Sequence, residues 1–348
     1  MAFLRRLEWR ISVTSRLYKL AGVLVSVLFV YLAVRKVDPS EFGRVLGTAQ
    51  LGWLLVAIPI YLSAFPVRAL RWRRILRDQK ALSFAEVMVP VFVGHMVNNV
   101  LPARTGEVYR AHFLGRRARM SRSGAMGSIV VERAFDGLML VGLMLLLFVL
   151  FPEAHFLGGE ALVVGLISLA VAVGILFYGS IHPVDRTPRA INEMLKILPQ
   201  KLRGYTDRGL NSFLRGVRGP STIGGYLEVV VYTVLVWALE MGAVSLVVIS
   251  FGVALPLTGY LLVYALSALA TTLPSGPGYV GPYQYAFVLG LGLFAVSQET
   301  ALAVSVVAQL ALIGSMTLIG LVLFWREQLW GGLALNQEKP ERKSENVG

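Results

Sequence analysis

The chain contains no cysteine, which excludes disulfide bonds, thiolate metal sites and cysteine nucleophiles. Histidine is almost as scarce. His95, His112, His155 and His182 are the full set, and none stand at HxxxH or HExxH spacing. A zinc enzyme is therefore not expected, and a lipid phosphatase built on a His nucleophile lacks its second His. Charge is sparse too, at 15% of residues against roughly 25% in a soluble domain. Hydrophobic residues make up 56%, and the mean hydropathy is +0.66. The bilayer is the expected solvent.

Acid is scarcer than base, with 20 Asp and Glu against 33 Lys and Arg. The excess punctuates apolar spans rather than forming a soluble basic face, so nucleic acid is not an expected partner. The Gly-rich run Pro274–Gly281 is not followed by the Lys-Ser/Thr of a phosphate loop, so nucleotide binding is not expected. No cofactor and no metal is predicted.

Residues 1–16 are basic and amphipathic, as in a helix lying on the inner leaflet. A single transmembrane domain is expected over 17–325, with halves at about 17–151 and 161–325. A cytoplasmic insertion occupies 181–222, and 326–348 reads as a polar, disordered tail. Six full spans are predicted: Leu17–Val34, Leu51–Leu70, Gly127–Phe151, Ala161–Tyr178, Gly224–Ser250 and Ala301–Trp325. Two further segments, Phe84–Leu101 with its return helix from Ala103 and Leu257–Leu293, are broken. All Lys and Arg but Arg35, Lys36, Arg44 and Arg133 fall in 1–19, 68–80, 104–122, 181–222 and 326–348. The positive-inside rule then places both termini in the cytoplasm of a prokaryotic plasma membrane.

The two breaks organise the chain. The first is Asn98-Asn-Val-Leu-Pro-Ala-Arg-Thr-Gly-Glu-Val-Tyr-Arg-Ala-His-Phe113, and the second is Leu273-Pro-Ser-Gly-Pro-Gly-Tyr-Val-Gly-Pro-Tyr-Gln-Tyr-Ala-Phe287. An offset of 172 positions carries Leu101-Pro102 onto Leu273-Pro274 and Gly106 onto Gly278, and it aligns the hydropathy of the halves. Paired interrupted spans in corresponding halves point to an inverted repeat with its site between the breaks. The fold class read from this pattern is an all-α polytopic membrane protein. It has about eight membrane segments: six full spans and two broken, re-entrant hairpins.

Ionisable residues inside a membrane mark function by default. Pro102 and Pro274 stand at expected helix starts, whose unpaired N–H groups favour an anion. Arg104, Glu107 and Arg110 share one helix face, where Glu107 can pair with either Arg. The trio is either a self-satisfied structural cluster or a headgroup site in which one Arg meets a phosphate. Asn98, Asn99, Gly276, Gly278, Gly281 and Gln284 complete the candidate binding set. Glu132, Arg133 and Asp136 form a supporting or gating group, with Arg104 or Arg110 as candidate partners for the carboxylates. Glu240 is either an unpaired, protonated carboxyl that relays protons or a hydrogen-bonding partner of a neighbouring helix. His95 and His112 read as packed polar residues.

Three ordered motifs, Asn99–Arg110, Val131–Gly137 and Pro274–Gly281, resemble the lysylphosphatidylglycerol synthase transmembrane-region family over about 15–325. The resemblance implies a helical fold related to the flippase half of the multiple peptide resistance factor. That protein exposes aminoacylated phosphatidylglycerol on the outer leaflet. The soluble aminoacyl-transferase domain of the bifunctional members is absent here, so lysyl transfer is not expected. Some branches carry Pro-Gly-Gly-Leu-Gly-Val-x-Glu at the second break, and Gln284 stands at that Glu position.

The expected function is binding and transbilayer movement of an anionic, phosphate-bearing lipid, a phospholipid or a polyprenyl-phosphate carrier. The alternatives are a membrane enzyme acting on a lipid-linked substrate and a non-transporting scaffold. Anionic lipids, and lipid-modifying or glycosyltransferase enzymes, are the expected partners.

Overall fold

The computed structural model describes residues 23–101, 105–150, 200–273 and 275–337, with isolated residues between 165 and 174. The amphipathic N-terminus at 1–16, most of the predicted fourth span, Pro102, Ala103, Arg104, Pro274 and residues 338–348 lie outside the described residues. Among the described residues the fold is all-helical.

The first half contains α1 (Val23–Val34), α2 (Pro39–Leu46), α3 (Leu51–Leu76), α4 (Phe84–Val100), α5 (Gly106–Arg117) and α6 (Arg122–Leu150). The second contains α7 (Gln200–Val217), α8 (Ile223–Ser250), α9 (Leu257–Ala270), α10 (Pro282–Gly292), α11 (Gln298–Ala308) and α12 (Gly314–Gln337). A π-helical turn at Gln309–Ile313 joins α11 to α12. Among the described residues four helices are long and apolar enough to cross a membrane: α3, α6, α8 and the continuous Gln298–Glu327 stretch. Helices α1, α4 and α9 are shorter and apolar. The last helix runs to Gln337, past the expected boundary at 326.

Local chemistry sets several ends. Asp38 caps α2, and the Ser40 hydroxyl and the Glu41 and Ser40 amides hold its carboxyl below the usual range. Ser83 and Glu86 form a reciprocal capping box at the start of α4. Thr222 caps α8 by accepting from the Gly225 N–H at 3.1 Å.

Helices α3 and α8 form the axle of the molecule and run antiparallel. The Gln50 N–H at the start of α3 donates to the Ser250 carbonyl at the end of α8, at 2.9 Å. At the opposite end the Ser221 N–H donates to Asp78 at 2.6 Å. Lipid is as apolar as leucine, so small residues and close packing must supply this contact. Ala57 and Ala64 on α3 pack into a core with Val236, Ala243, Val244 and Val247 on α8.

The 172-residue offset maps α3 onto α8 and recurs in the packing. Helices α4 and α5 pack together as α9 and α10 do; α5 packs on α6 as α10 does on α11; α4 meets α12 as α9 meets α6. The region expected as a cytoplasmic insertion contains α7, which packs on α6, and its counterpart is α2 on α11.

The α4–α5 hairpin closes on glycine. A Cβ on Gly106 would lie 2.0 Å from the Gly94 carbonyl oxygen, and one on Gly94 would lie 2.9 Å from the Arg110 Cβ. In the second break the helix does not begin at the predicted Pro274 position. A short 3-10 turn, Pro277–Tyr279, comes first, and α10 starts at Pro282. Left-handed backbone at Gly278 (φ 68°), Tyr279 (φ 63°) and Gly281 (φ 98°) prevents earlier helix formation. The second break is therefore the longer one.

Gly106→Ala drives its Cβ into backbone that has no slack. It should lower the melting midpoint sharply or abolish monodisperse protein, at a cost of at least ~1–3 kcal/mol. Gly137→Ala, with nothing within 4 Å of the new Cβ, should leave the midpoint unchanged or raised. Equal effects of the two on a detergent thermal melt would refute the packing account.

Candidate functional site

Eight charged side chains converge where α3, α5, α6 and α8 meet. Glu132 is fully buried on α6. It accepts from Arg71 at 3.1 Å, from Arg110 at 3.1 and 2.5 Å, and from Arg133 at 2.8 Å. Asp136, one turn on, accepts from Arg71 at 2.6 and 3.2 Å and pairs with Arg133 at 3.2 Å. Arg68 on α3 bonds Glu240 on α8 at 2.6 Å, and the Tyr264 hydroxyl donates to the same carboxylate at 2.9 Å. Glu107 is the loosest member, 3.8 Å from Arg133. Arg68, Arg71, Arg110 and Arg133 thus face Glu107, Glu132, Asp136 and Glu240, four charges of each sign.

Arg110 is clamped from two sides. Its fork lies flat against Glu132, and its guanidinium carbon sits 3.7 Å from the centre of the Trp72 ring. The buried Trp72 donates its indole N–H to Ser128 at 2.9 Å. The side chains differ greatly in freedom. Arg71 is 0% exposed and Arg110 3%, Arg68 is 11%, and Arg133 is 35%.

A cavity of about 150 Å³ opens beside the network. Its lining is mixed: Arg68, Asn98, Asn99, Glu107, Arg110, Arg133 and Glu240 are polar or charged, and Tyr61, Phe65, Ile313 and Met316 are aromatic or apolar. His95 also lines it, with Nδ1 2.8 Å from the Val91 carbonyl. A carbonyl oxygen only accepts, so Nδ1 carries the proton. The ring packs edge-on to Phe65, consistent with a packed polar residue.

The sequence-derived candidates divide around this cavity. Asn98, Asn99, Glu107, Arg110, Arg133 and Glu240 line it, and Glu132 and Asp136 stand behind the wall. Arg104 is outside the described residues. The expected Arg110 partner for the α6 carboxylates is found in Glu132. Among the described residues Glu107 faces Arg133 rather than Arg110, because Glu132 already occupies both ends of the Arg110 fork. Of the two alternatives for Glu240, the structure has the hydrogen-bonding partner of neighbouring helices: Arg68 reaches it from α3 and Tyr264 from α9. The Gly106 N–H at the start of α5 is also not open to an anion, since the Asn98 side chain accepts from it at 2.7 Å. Asn99 donates to Thr317 on α12 at 2.8 Å.

The glycines of the second break meet protein. The Gly276 N–H donates to the Ser26 hydroxyl at 2.8 Å, and a Cβ on Gly281 would lie 2.5 Å from the Ser26 carbonyl oxygen. The Gln284 carbonyl accepts from the Gly281 N–H, and its amide donates to Gln309, which in turn donates to the Gly278 carbonyl. The two breaks do meet: the 3-10 turn packs against α4, and Tyr279 lines the cavity beside Asn99.

Arg68, Arg71, Trp72 and Gln309 are site residues beyond the sequence-derived set. Sequence alone groups Arg68 and Arg71 with the cytoplasmic charges of 68–80, but α3 continues through them to Leu76 and buries them. Their spacing of three along an apolar helix was the available signal. Gln309 sits at the start of the π turn, a distortion frequent at functional sites.

A family model described as lysylphosphatidylglycerol synthase TM region matches residues 19–320. Glycosyltransferase AglD of Haloferax volcanii is 25% identical over 90% of this chain. The chain spans 56% of that relative, little more than half its length. A UPF0104 membrane protein of Methanothermobacter thermautotrophicus is 24% identical over 83% of this chain and 89% of its own. Another, from Methanocaldococcus jannaschii, is 23% identical over 66% and 93%. No solved structure matches.

Glu132→Gln leaves Arg71 and Arg110 buried without their shared counter-charge. Breaking such a pair typically costs ~3–5 kcal/mol, so this variant should melt far below the wild type in detergent. An unchanged melt would show that the carboxylate does not hold α3, α5 and α6 together.

Proposed function

We propose, for a chain that belongs to the lysylphosphatidylglycerol synthase TM region family, that the central cavity binds the phosphate-bearing headgroup of an anionic lipid and that the two halves carry it across the bilayer. The observation that supports this reading is the cavity wall. Guanidinium groups and carboxamides line it together with aromatic and aliphatic side chains, at the meeting point of the two interrupted segments. A space of about 150 Å³ suits a headgroup and not a whole lipid, so the acyl chains stay in the bilayer.

The antiparallel packing of the equivalent helices α3 and α8 supports an inverted repeat, the architecture of alternating access. On this reading six helices span fully and the two broken segments are re-entrant. The protein then sits in a prokaryotic plasma membrane with both termini in the cytoplasm.

The arginines are already neutralised, so the headgroup enters by exchange. Arg133 is the member that can exchange most readily. It is the most exposed of the four, and its 3.8 Å contact with Glu107 is looser than any hydrogen bond of the network. A phosphate oxygen replacing Glu107 keeps the charge balance of the cluster while leaving the buried Arg110–Glu132 clamp intact. With no energy-coupling motif in the sequence, movement is facilitated or ion-coupled.

A second reading draws on the relative named as a glycosyltransferase: the domain handles a lipid-linked substrate for a glycosyl-transferring or other lipid-modifying enzyme, in the same chain or beside it. An enzyme reading for the domain itself expects Asp136→Asn to lose turnover while keeping lipid.

Lipid mass spectrometry on protein purified in mild detergent tests the proposal. Wild type should carry one anionic phospholipid or polyprenyl phosphate in excess over the membrane extract, and Arg133→Gln should lose that excess while its melting midpoint falls less than that of Glu132→Gln, because Arg71 and Arg110 still hold the buried carboxylate. Equal, unselective lipid in both proteins would falsify the headgroup site.

A further inference from the structure

A larger cavity, about 330 Å³, lies away from the central network, where the end of α3 meets the start of α8. Leu70, Arg73, Arg74, Arg77 and Leu82 line it from the α3 side, and Glu228 and Tyr232 from α8. Its charge is lopsided: three arginines face one carboxylate. Glu228 is half-exposed, so water rather than Arg74 takes much of its charge.

Arg74 is the anchor of the pocket. Its side chain is nine-tenths buried. Its Nη2 donates to Thr222 at 3.3 Å, and Nε lies 3.1 Å from Glu228 in a geometry that makes no hydrogen bond. Nε and Nη1 are both buried without a hydrogen-bond partner. An unsatisfied buried donor costs ~1–3 kcal/mol or more when charged, and a resident acceptor is the expected remedy. Room for Arg74 is built in, since a Cβ on Gly225 would lie 2.1 Å from its Nη2. Arg73 and Arg77 are exposed and have no ion-pair partner among the described residues.

We propose that this pocket is a second phosphate-binding site, with Arg74 as the buried anchor and Arg73 and Arg77 as the outer donors. Three guanidinium groups offer forked donors that match phosphate oxygens. Nothing else in the pocket selects a different anion. Basic pockets between membrane helices take lipid headgroups, and the adjoining face of α8 presents Leu227, Val230, Val231 and Val234 outward at helical spacing, as a lipid-facing surface does. A membrane phospholipid is therefore the favoured carrier of the phosphate, and a soluble phosphate compound is the other source. The site also has a place relative to the central one. Arg68, Arg71 and Arg74 recur every third residue on α3, a row that winds about 60° round the helix at each step from the central cavity to this pocket.

The test uses the full chain in detergent micelles and two probes, dioctanoyl phosphatidylglycerol and inorganic pyrophosphate, with binding followed by isothermal calorimetry. Each is titrated into wild type, Arg73→Gln/Arg77→Gln and Arg133→Gln. The double variant alters only exposed side chains and should melt as wild type. It should bind at least one probe about tenfold or more weakly, the loss expected from one charge-assisted hydrogen bond. Loss confined to the lipid assigns the site to a phospholipid, and loss confined to pyrophosphate assigns it to a soluble phosphate. Arg74→Lys, which keeps the charge but not the fork, should weaken the same probe. Unchanged affinity for both probes in the double variant overturns the proposal. Arg133→Gln separates the two sites: it should leave the peripheral binding intact even if the central headgroup reading fails.

Discussion

Glu132 is the constraint on which the rest of this molecule depends. A carboxylate fully buried in apolar surroundings is costly, and one partner would not fully compensate it. Here three guanidinium groups converge on it from α3, α5 and α6. Those bonds fix where the return helix α5 lies, since Arg110 is held between Glu132 and Trp72. The position of α5 in turn sets the wall of the cavity and brings Asn98 onto the Gly106 amide. Glycine at 94 and 106 lets the hairpin close tightly enough for Arg110 to reach.

The Arg68–Glu240 pair has a different standing. Its two residues are separated by 172 positions, the same offset that relates the halves. Under the proposed inverted repeat, exchanging the halves maps the pair onto itself and so places it on the pseudo-two-fold axis. Other contacts obey the same operation. It sends the Gln50–Ser250 contact at one end of the axle to Asp78 and Thr222 at the other, one residue from the observed Asp78–Ser221 bond. At the axis two copies of one position face each other, and two like charges there would repel. Divergence into Arg and Glu turns that juxtaposition into an attraction between the halves.

Much of this was legible in the sequence, for identifiable reasons. Hydropathy and the two Pro/Gly breaks gave the helical membrane class, and the offset between breaks gave the pairing of halves. The Asn98–Phe113 stretch gave Asn98, Asn99, Glu107 and Arg110 on the cavity wall, because polar groups in an apolar run have few explanations. What failed was assignment across helices. Arg68 and Arg71 look like the beginning of a cytoplasmic basic cluster, since their acid partners lie 172 and 61 or more positions away. The glycines of the second break read as ligand-facing, but Gly281 admits the backbone of Ser26 and Gly276 its side chain, contacts no local pattern records. The start of α10 was misplaced because Pro274 is followed by three positive-φ residues whose conformations only tertiary packing fixes.

A balanced network is a poor device for attracting an anion and a good one for releasing it. Apolar side chains of similar volume would hold α3, α5, α6 and α8 together without desolvating eight charges. The persistence of the charges argues that their exchange matters more than their attraction. In the proposed reading a headgroup that displaces Glu107 from Arg133 gains the difference between two anions, which selects the lipid without the full strength of an uncompensated charge. Tight binding would trap a lipid at the midplane, whereas near-neutral exchange lets it leave on either side. The buried clamp at Glu132 and Arg110 then keeps the site in shape while the exposed member, Arg133, changes partner. The gradient of exposure across the four arginines, from Arg71 to Arg133, is what divides the network into a fixed part and a working part.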